Sequence, residues 1–268
     1  MIIDGRALAK EILARTKARA DKLKRRPLIA ALTASDTPAT RSYLGVKARR
    51  ATDAGCVFET RALGSSFADA DAVIVQLPVP IGINQKEVCD AIPVSKDADV
   101  LSSAARAQFE MMDLRNPSLL PPVVGAVKKI LEFGNVEIKN KKAVVIGDGW
   151  LVGNPCAVWL KQQGAEVSVL TSKLENLAMA LGNADIIVSG AGSPHLIKPE
   201  MLKQGVVLID AGTSESGSTI VGDADPACAE VCSLFTPVPG GVGPLAVAML
   251  FENAVTLAER ANSSILAQ

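Results

Sequence analysis

The sequence predicts an α/β protein of one large domain or two small ones, and three observations carry the fold class. Short unbroken apolar runs alternate with helical patterns along most of the 268 residues, as in βαβ units whose parallel strands are covered on both faces. A glycine-rich turn, Gly147-Asp148-Gly149-Trp150-Leu151-Val152-Gly153, separates one such run from the next helical pattern. The segment Thr236-Pro237-Val238-Pro239-Gly240-Gly241-Val242-Gly243-Pro244 sets three prolines and three glycines in nine residues. Proline fixes φ and lacks a donor, and glycine leaves no side chain in the way, so this segment is neither helix interior nor central strand. A stiff loop between a strand and a helix presents bare backbone to a ligand.

The elements follow in order. Leu8, Ile12, Leu13 and Leu23 among many charges predict an amphipathic helix over 5–24. Leu28 to Thr33 is a strand ended by Ser35-Asp36-Thr37-Pro38, and a helix runs from about Ala39 to Ala54, closed by Gly55. Cys56 to Thr60 and Ala72 to Gln76 are strands, the second broken by Leu77-Pro78-Val79-Pro80. Asn84 caps a helix reaching Ala91, and residues 93–118 are turn-rich. The domain boundary falls near their end, and a helix over 122–133 leads into the second half. There, strands at 142–146, 166–170, 185–189, 206–210 and 231–235 alternate with helices at 154–163, 174–181, a short stretch at 199–202, and 245–261.

Composition excludes several classes. Lysine plus arginine and aspartate plus glutamate number 28 each, so there is no electrostatic footprint for nucleic acid or a membrane surface. The five cysteines, at 56, 89, 156, 228 and 232, lie far from the single histidine, His195. No metal site is expected, and free thiols fit a reducing compartment. The start carries no basic-then-apolar leader, and no apolar stretch reaches about 18 residues. The expectation is a soluble cytoplasmic protein.

The glycine-rich turn follows a strand and opens a helix, the context a dinucleotide fingerprint requires. Gly147, Asp148, Gly149 and Gly153 are therefore candidate cofactor residues, with the helix N-terminus offering N–H groups to a pyrophosphate. The next strand ends in Thr171-Ser172-Lys173 rather than an acidic residue. Ser172 and Lys173 suit a 2′-phosphate and hence NADP, whereas the Asp148 carboxylate opposes a further phosphate and leaves NAD open. In the first half, Tyr43 and Lys47 are four apart and share a helix face.

The order Thr37-Pro38-Ala39-Thr40, Tyr43, Lys47, Val75-Gln76-Leu77-Pro78-Val79-Pro80, Lys96-Asp97-Ala98-Asp99, Gly147 to Pro155 and the Pro-Gly loop resembles the bifunctional methylenetetrahydrofolate dehydrogenase/methenyltetrahydrofolate cyclohydrolase family (the FolD type) over nearly the whole chain. The resemblance implies a catalytic lobe of residues 1–118 plus 245–268, a Rossmann-type NAD(P) domain of 119–244, a folate cleft between them, tetrahydrofolate substrates and a homodimer. It makes Lys47 the catalytic lysine and Gln76 its hydrogen-bonding partner. Tyr43 packs against the folate, and Asp99 binds the pterin. Pro239, Gly240 and Gly241 line the substrate, and Gly243 borders the cofactor. Departures cluster on the cofactor side. Asp148 replaces an arginine, Val123 and Ala246 each replace a threonine, and the segment between Thr60 and Ala72 is too short for the usual helix. Val100 follows Asp99 where the family has glycine. These changes imply a dehydrogenase step that is slower, prefers NAD or is absent. The alternatives are a non-catalytic folate or nucleotide binder and another Rossmann oxidoreductase.

Overall fold

The computed structural model describes residues 1–111, 119–171, 177–216 and 219–266. The chain divides into two compact units, Met1–Leu8 with Val123–Ala246, and Ala9–Pro122 with Val247–Gln268.

The second of these opens with α1 (Gly5–Ala20), whose first residues belong to the other unit, and continues through β1 (Leu28–Thr33), α2 (Pro38–Asp53), β2 (Val57–Ala62), β3 (Ala72–Val75), α3 (Gln85–Asp90) and α4 (Ser103–Met111). Its three strands form a parallel sheet in the order β2-β1-β3. β1 is central, and Ile29, Ala30, Ala31 and Leu32 are all buried, which explains an apolar run without alternation. Between Thr60 and Ala72 no helix forms. Leu63 and Phe67 instead pack against the buried cluster of Leu32, Val73, Val75, Cys89 and Leu101.

The other unit takes α5 (Pro122–Phe133) from Val123 onward, then β4 (Lys142–Ile146), α6 (Gly153–Gln162), β5 (Glu166–Leu170), α7 (Leu177–Gly182), β6 (Ile186–Ser189), β7 (Val207–Asp210), the antiparallel pair β8 (Ser214–Ser216) and β9 (Thr219–Val221), and β10 (Leu234–Phe235). The parallel sheet has the order β10-β7-β6-β4-β5. Strand order reverses at β4, so the crevice beyond the carboxyl ends of β4 and β6 is the topological switch point, where open α/β sheets bind ligands. α8 (Val242–Leu266) closes the chain, and the division between units falls within it.

The structure corrects several expectations. The first eight residues belong with the Rossmann-type unit, not with residues 9–118. Ile2 bridges Phe235 in parallel, Ile3 N–H donates to the Phe235 carbonyl at 2.9 Å, and the Met1 ammonium donates to the Ser233 carbonyl at 2.6 Å. The opening segment thus extends the sheet beside β10. α1 stops at Ala20, four residues early. α4 lies inside the stretch read as turns; its buried face is only Ala105, Arg106 and Phe109, too sparse for an apolar period. The strand expected over 231–235 shrinks to two residues because Pro226–Glu230 forms a 3₁₀ turn just before it. α8 contains a 22-residue stretch, Val242–Ser263, of mean hydropathy 1.3, long and apolar enough to cross a membrane by composition alone. It exceeds the apolar length read from the sequence, but Leu245, Ala248, Leu250, Phe251, Ala254 and Val255 are buried in the protein's own core.

Candidate active site

Lys47 is placed by α2, whose start is well determined. Thr37 accepts the Thr40 N–H at 3.1 Å as N-cap, and Pro38 occupies the first helical position. One turn before Lys47 on the same face, Tyr43 is 43% exposed, an aromatic surface open to a planar ligand. Gln76 follows the last residue of β3. Its Oε1 accepts from Lys47 Nζ at 3.0 Å, and its Nε2 donates to the Leu77 carbonyl at 2.9 Å. The second bond fixes which end of the amide faces the lysine. Burial lowers the Lys47 pKa, and the Asp99 carboxylate works against that. Asp99 is pushed up to about 6 by burial and by neighbouring Asp97, against the pull of Lys47 and Arg106. The structure therefore brings Lys47, Gln76 and Asp99 into one electrostatic site.

The Asp99 loop is held by two residues to which the sequence assigned no role, Asp97 of the same motif and Asn253. The buried Asp97 carboxylate accepts from the backbone N–H of Leu101 and Ser102. Asn253 of α8, 6% exposed, donates through Nδ2 to the carbonyls of Ala98 and Leu120, both at 2.9 Å. The signal was available: Asn253 is a lone amide in a run of buried apolar residues. Val100 has φ 56°, left-handed backbone that a β-branched residue adopts only under strain.

In the Rossmann-type unit, the turn after β4 is closed by contact. A side chain at Gly153 would overlap the Gly147 carbonyl, and Gly147 itself has φ 91°. Gly149 and Gly243 differ. Neither has positive φ, and a Cβ added at either would meet nothing within 4 Å. Their bareness satisfies no need of the fold and leaves space for a ligand's close approach. The N-terminus of α6 carries no side-chain cap; Asn154 N–H donates to the Gly149 carbonyl at 3.2 Å and Pro155 has no N–H, so the Gly153 N–H is the first-turn donor left to face an anion. These features fit a dinucleotide pyrophosphate. Asp148 is exposed in the same turn. In the Pro-Gly loop, Thr236 is buried, Pro239 is exposed, Gly240 has φ 114°, and Gly241 sits so tightly that a Cβ would lie 2.7 Å from the Pro237 carbonyl oxygen. Ser172 and Lys173 lie outside the described residues. Among the described residues, no three His, Cys, Asp or Glu side chains gather as a metal site.

Comparison with known proteins matches residues 3–99 to the model of the tetrahydrofolate dehydrogenase/cyclohydrolase catalytic domain and residues 121–262 to that of the NAD(P)-binding domain. The chain belongs to the tetrahydrofolate dehydrogenase/cyclohydrolase family. Among its relatives, the bifunctional protein FolD of Thermotoga maritima is 34% identical, over 97% of this chain and 99% of that one. That of Nitrosospira multiformis is also 34% identical, with 98% of each covered. Among solved structures, FolD from Campylobacter jejuni superposes with a TM-score of 0.91 at 30% identity, covering 97% of this chain and 99% of that one. The Trypanosoma brucei family enzyme, complexed with NADP cofactor and inhibitor, gives 0.90 at 30% identity, covering 97% and 98%.

Proposed function

We propose that this chain oxidises 5,10-methylenetetrahydrofolate to the 5,10-methenyl form with NAD(P) and hydrolyses the methenyl form to 10-formyltetrahydrofolate. The observation that carries the reading is the Lys47–Gln76 hydrogen bond beside Asp99. In the hydrolytic step, water adds to the methenyl carbon and loses a proton. The bond from that carbon to N5 then breaks as the new hydroxyl gives up its proton to become the formyl carbonyl, N5 takes up a proton, and the formyl group remains on N10, with one proton released overall. Lys47 suits this traffic, because burial brings its neutral form closer to neutral pH, where it can take and return a proton. Gln76 holds Nζ on one side so that its remaining positions face the substrate. Asp99, ionised at neutral pH, accepts N–H donors of the pterin, and Tyr43 lies against the folate's aromatic part.

In the dehydrogenase step a hydride leaves the methylene carbon, and a bound nicotinamide supplies the acceptor. The protein's part is placement rather than acid or base chemistry. Gly147, Gly149, Gly153 and the α6 N-terminus would hold the pyrophosphate, with Gly243 leaving room beside it. A second reading, hydrolysis without the dehydrogenase step, rests on Asp148, a carboxylate standing where phosphates are to be bound. Nicotinamide reduction by methylenetetrahydrofolate, followed spectroscopically with NADP and with NAD, decides between them. Turnover with either nucleotide rejects the second reading, and hydrolysis without turnover rejects the first. The reading extends to a cytoplasmic homodimer, which sedimentation of the purified protein tests.

A further inference from the structure

Two buried carboxylates, Asp210 at the end of β7 and Asp223 after β9, have no part in the chemistry above, and both are about 1% exposed or less. Asp223 gathers the turn that follows β6. It accepts from Ser189 Oγ at 2.6 Å, from Ala191 N–H at 2.8 Å and from Ser193 N–H at 2.8 Å. That turn is one wall of the switch point. Gly190 N–H donates to the Ile146 carbonyl of β4, the Gly190 carbonyl lies 2.9 Å from where a Gly147 Cβ would stand, and a Gly190 Cβ would strike Val152. Asp210 gathers the next two loops. Its carboxylate accepts from Gly212 N–H at 2.9 Å and Ala224 N–H at 2.8 Å, and its own N–H donates to Thr236 Oγ1 at 2.7 Å, at the root of the Pro-Gly loop. The two halves interlock: a side chain at Gly212 would overlap the Asp223 carboxylate, and one at Gly222 would overlap that of Asp210.

The geometry points to Asp223 and Asp210 as positioning residues for nucleotide use, a paired brace that sets the turn at 190–193 against the glycine-rich turn and anchors the Pro-Gly loop at Thr236. Keeping two carboxylates out of water is costly, and a fold needing only stability is served as well by apolar packing. What the carboxylates add is direction: Asp223 ties the β6 end and its turn, through three donors, to the segment after β9, and Asp210 ties the loop after β7 to Ala224. The inference rests on the proposed dehydrogenase reading.

The test uses the full chain and two assays, nicotinamide reduction against nucleotide concentration and nucleotide-free hydrolysis of methenyltetrahydrofolate. Asp223→Asn keeps the shape but turns an amide donor toward groups that are themselves donors. It is expected to raise the nucleotide KM about tenfold or more, since small misplacements at a reacting site are costly, with hydrolysis unchanged. Ser189→Ala removes a single bond to Asp223 and is expected to raise the same KM about threefold. A merely structural brace lowers the melting temperature and leaves the nucleotide KM alone in both variants, and that result overturns the inference. Should Asp223→Asn fail to fold, Ser189→Ala decides alone, an unchanged KM again overturning it. A wild type that reduces neither nucleotide removes the underlying reading as well, and shows itself before any variant is made.

Discussion

Replacing Asp99 with asparagine should make this protein more stable at neutral pH while destroying its use of folate. Burial pushes the Asp99 carboxyl from the ordinary 3.8 up to about 6, even with Lys47 and Arg106 favouring its charge. A folded-state pKa above the unfolded one means that the folded protein holds the extra proton between about pH 4 and pH 6. The stabilising contribution is full below the unfolded value and is lost as pH rises through the folded one. At neutral pH the ionised carboxylate therefore costs stability. At about 1.4 kcal/mol for each pH unit between the two values, the cost is at most about 3 kcal/mol. Solvent reaching this half-buried group reduces it to about 1–2 kcal/mol. Asparagine is nearly isosteric and carries no charge, so it removes that cost at the price of the acceptor that binds the pterin. Urea denaturation of both proteins across the pH range is the assay. The expected result is a variant more stable at neutral pH, the difference vanishing below about pH 4, together with loss of methenyltetrahydrofolate hydrolysis. A variant less stable at neutral pH, or a difference that persists in acid, refutes the reasoning.

Gln76→Leu leaves Lys47 without its 3.0 Å acceptor and should slow hydrolysis about tenfold or more, since a hydrogen bond to a charged group contributes about 1.5–3 kcal/mol; stopped-flow hydrolysis rates check this. Gly153→Ala forces a methyl group into the Gly147 carbonyl and should abolish nucleotide binding in calorimetry while Lys47-dependent hydrolysis continues. Asn253→Leu leaves the Ala98 and Leu120 carbonyls without their donor. It should cost about 2–6 kcal/mol in chemical denaturation, at about 1–3 kcal/mol for each of the two groups left unpaired, toward the lower end because the Leu120 carbonyl is only part-buried.

The parts of this molecule that were legible in the sequence are those where local chemistry and tertiary structure agree. The buried strands at 28–33, 142–146 and 207–210 appear as apolar runs because both their faces are covered. The α2 start is written in Thr37-Pro38, and the turn after β4 in Gly147 and Gly153, which permit no side chain. Tyr43 and Lys47 share a face by spacing alone, but that Gln76 reaches Lys47 depends on β3 lying beside β1, a long-range pairing that no local pattern encodes. The same holds for what was missed. Met1–Leu8 joins the Rossmann-type unit through backbone bonds to residues more than 200 positions away. Asn253 anchors a loop 155 residues before it in the chain. Asp210 and Asp223 read as ordinary loop-edge acids until the strand ends around them are assembled. Val100 shows the converse: its left-handed backbone contradicts every local preference of valine, and only the fold imposes it.

The most direct measurement of the central claim is the rate of methenyltetrahydrofolate hydrolysis by the wild type and by Lys47→Ala, with circular dichroism confirming that both are folded. The wild type should hydrolyse the substrate, and the variant should be slower by about a hundredfold or more, the usual contribution of a positioned proton-transfer group. An unchanged rate in Lys47→Ala would contradict the account.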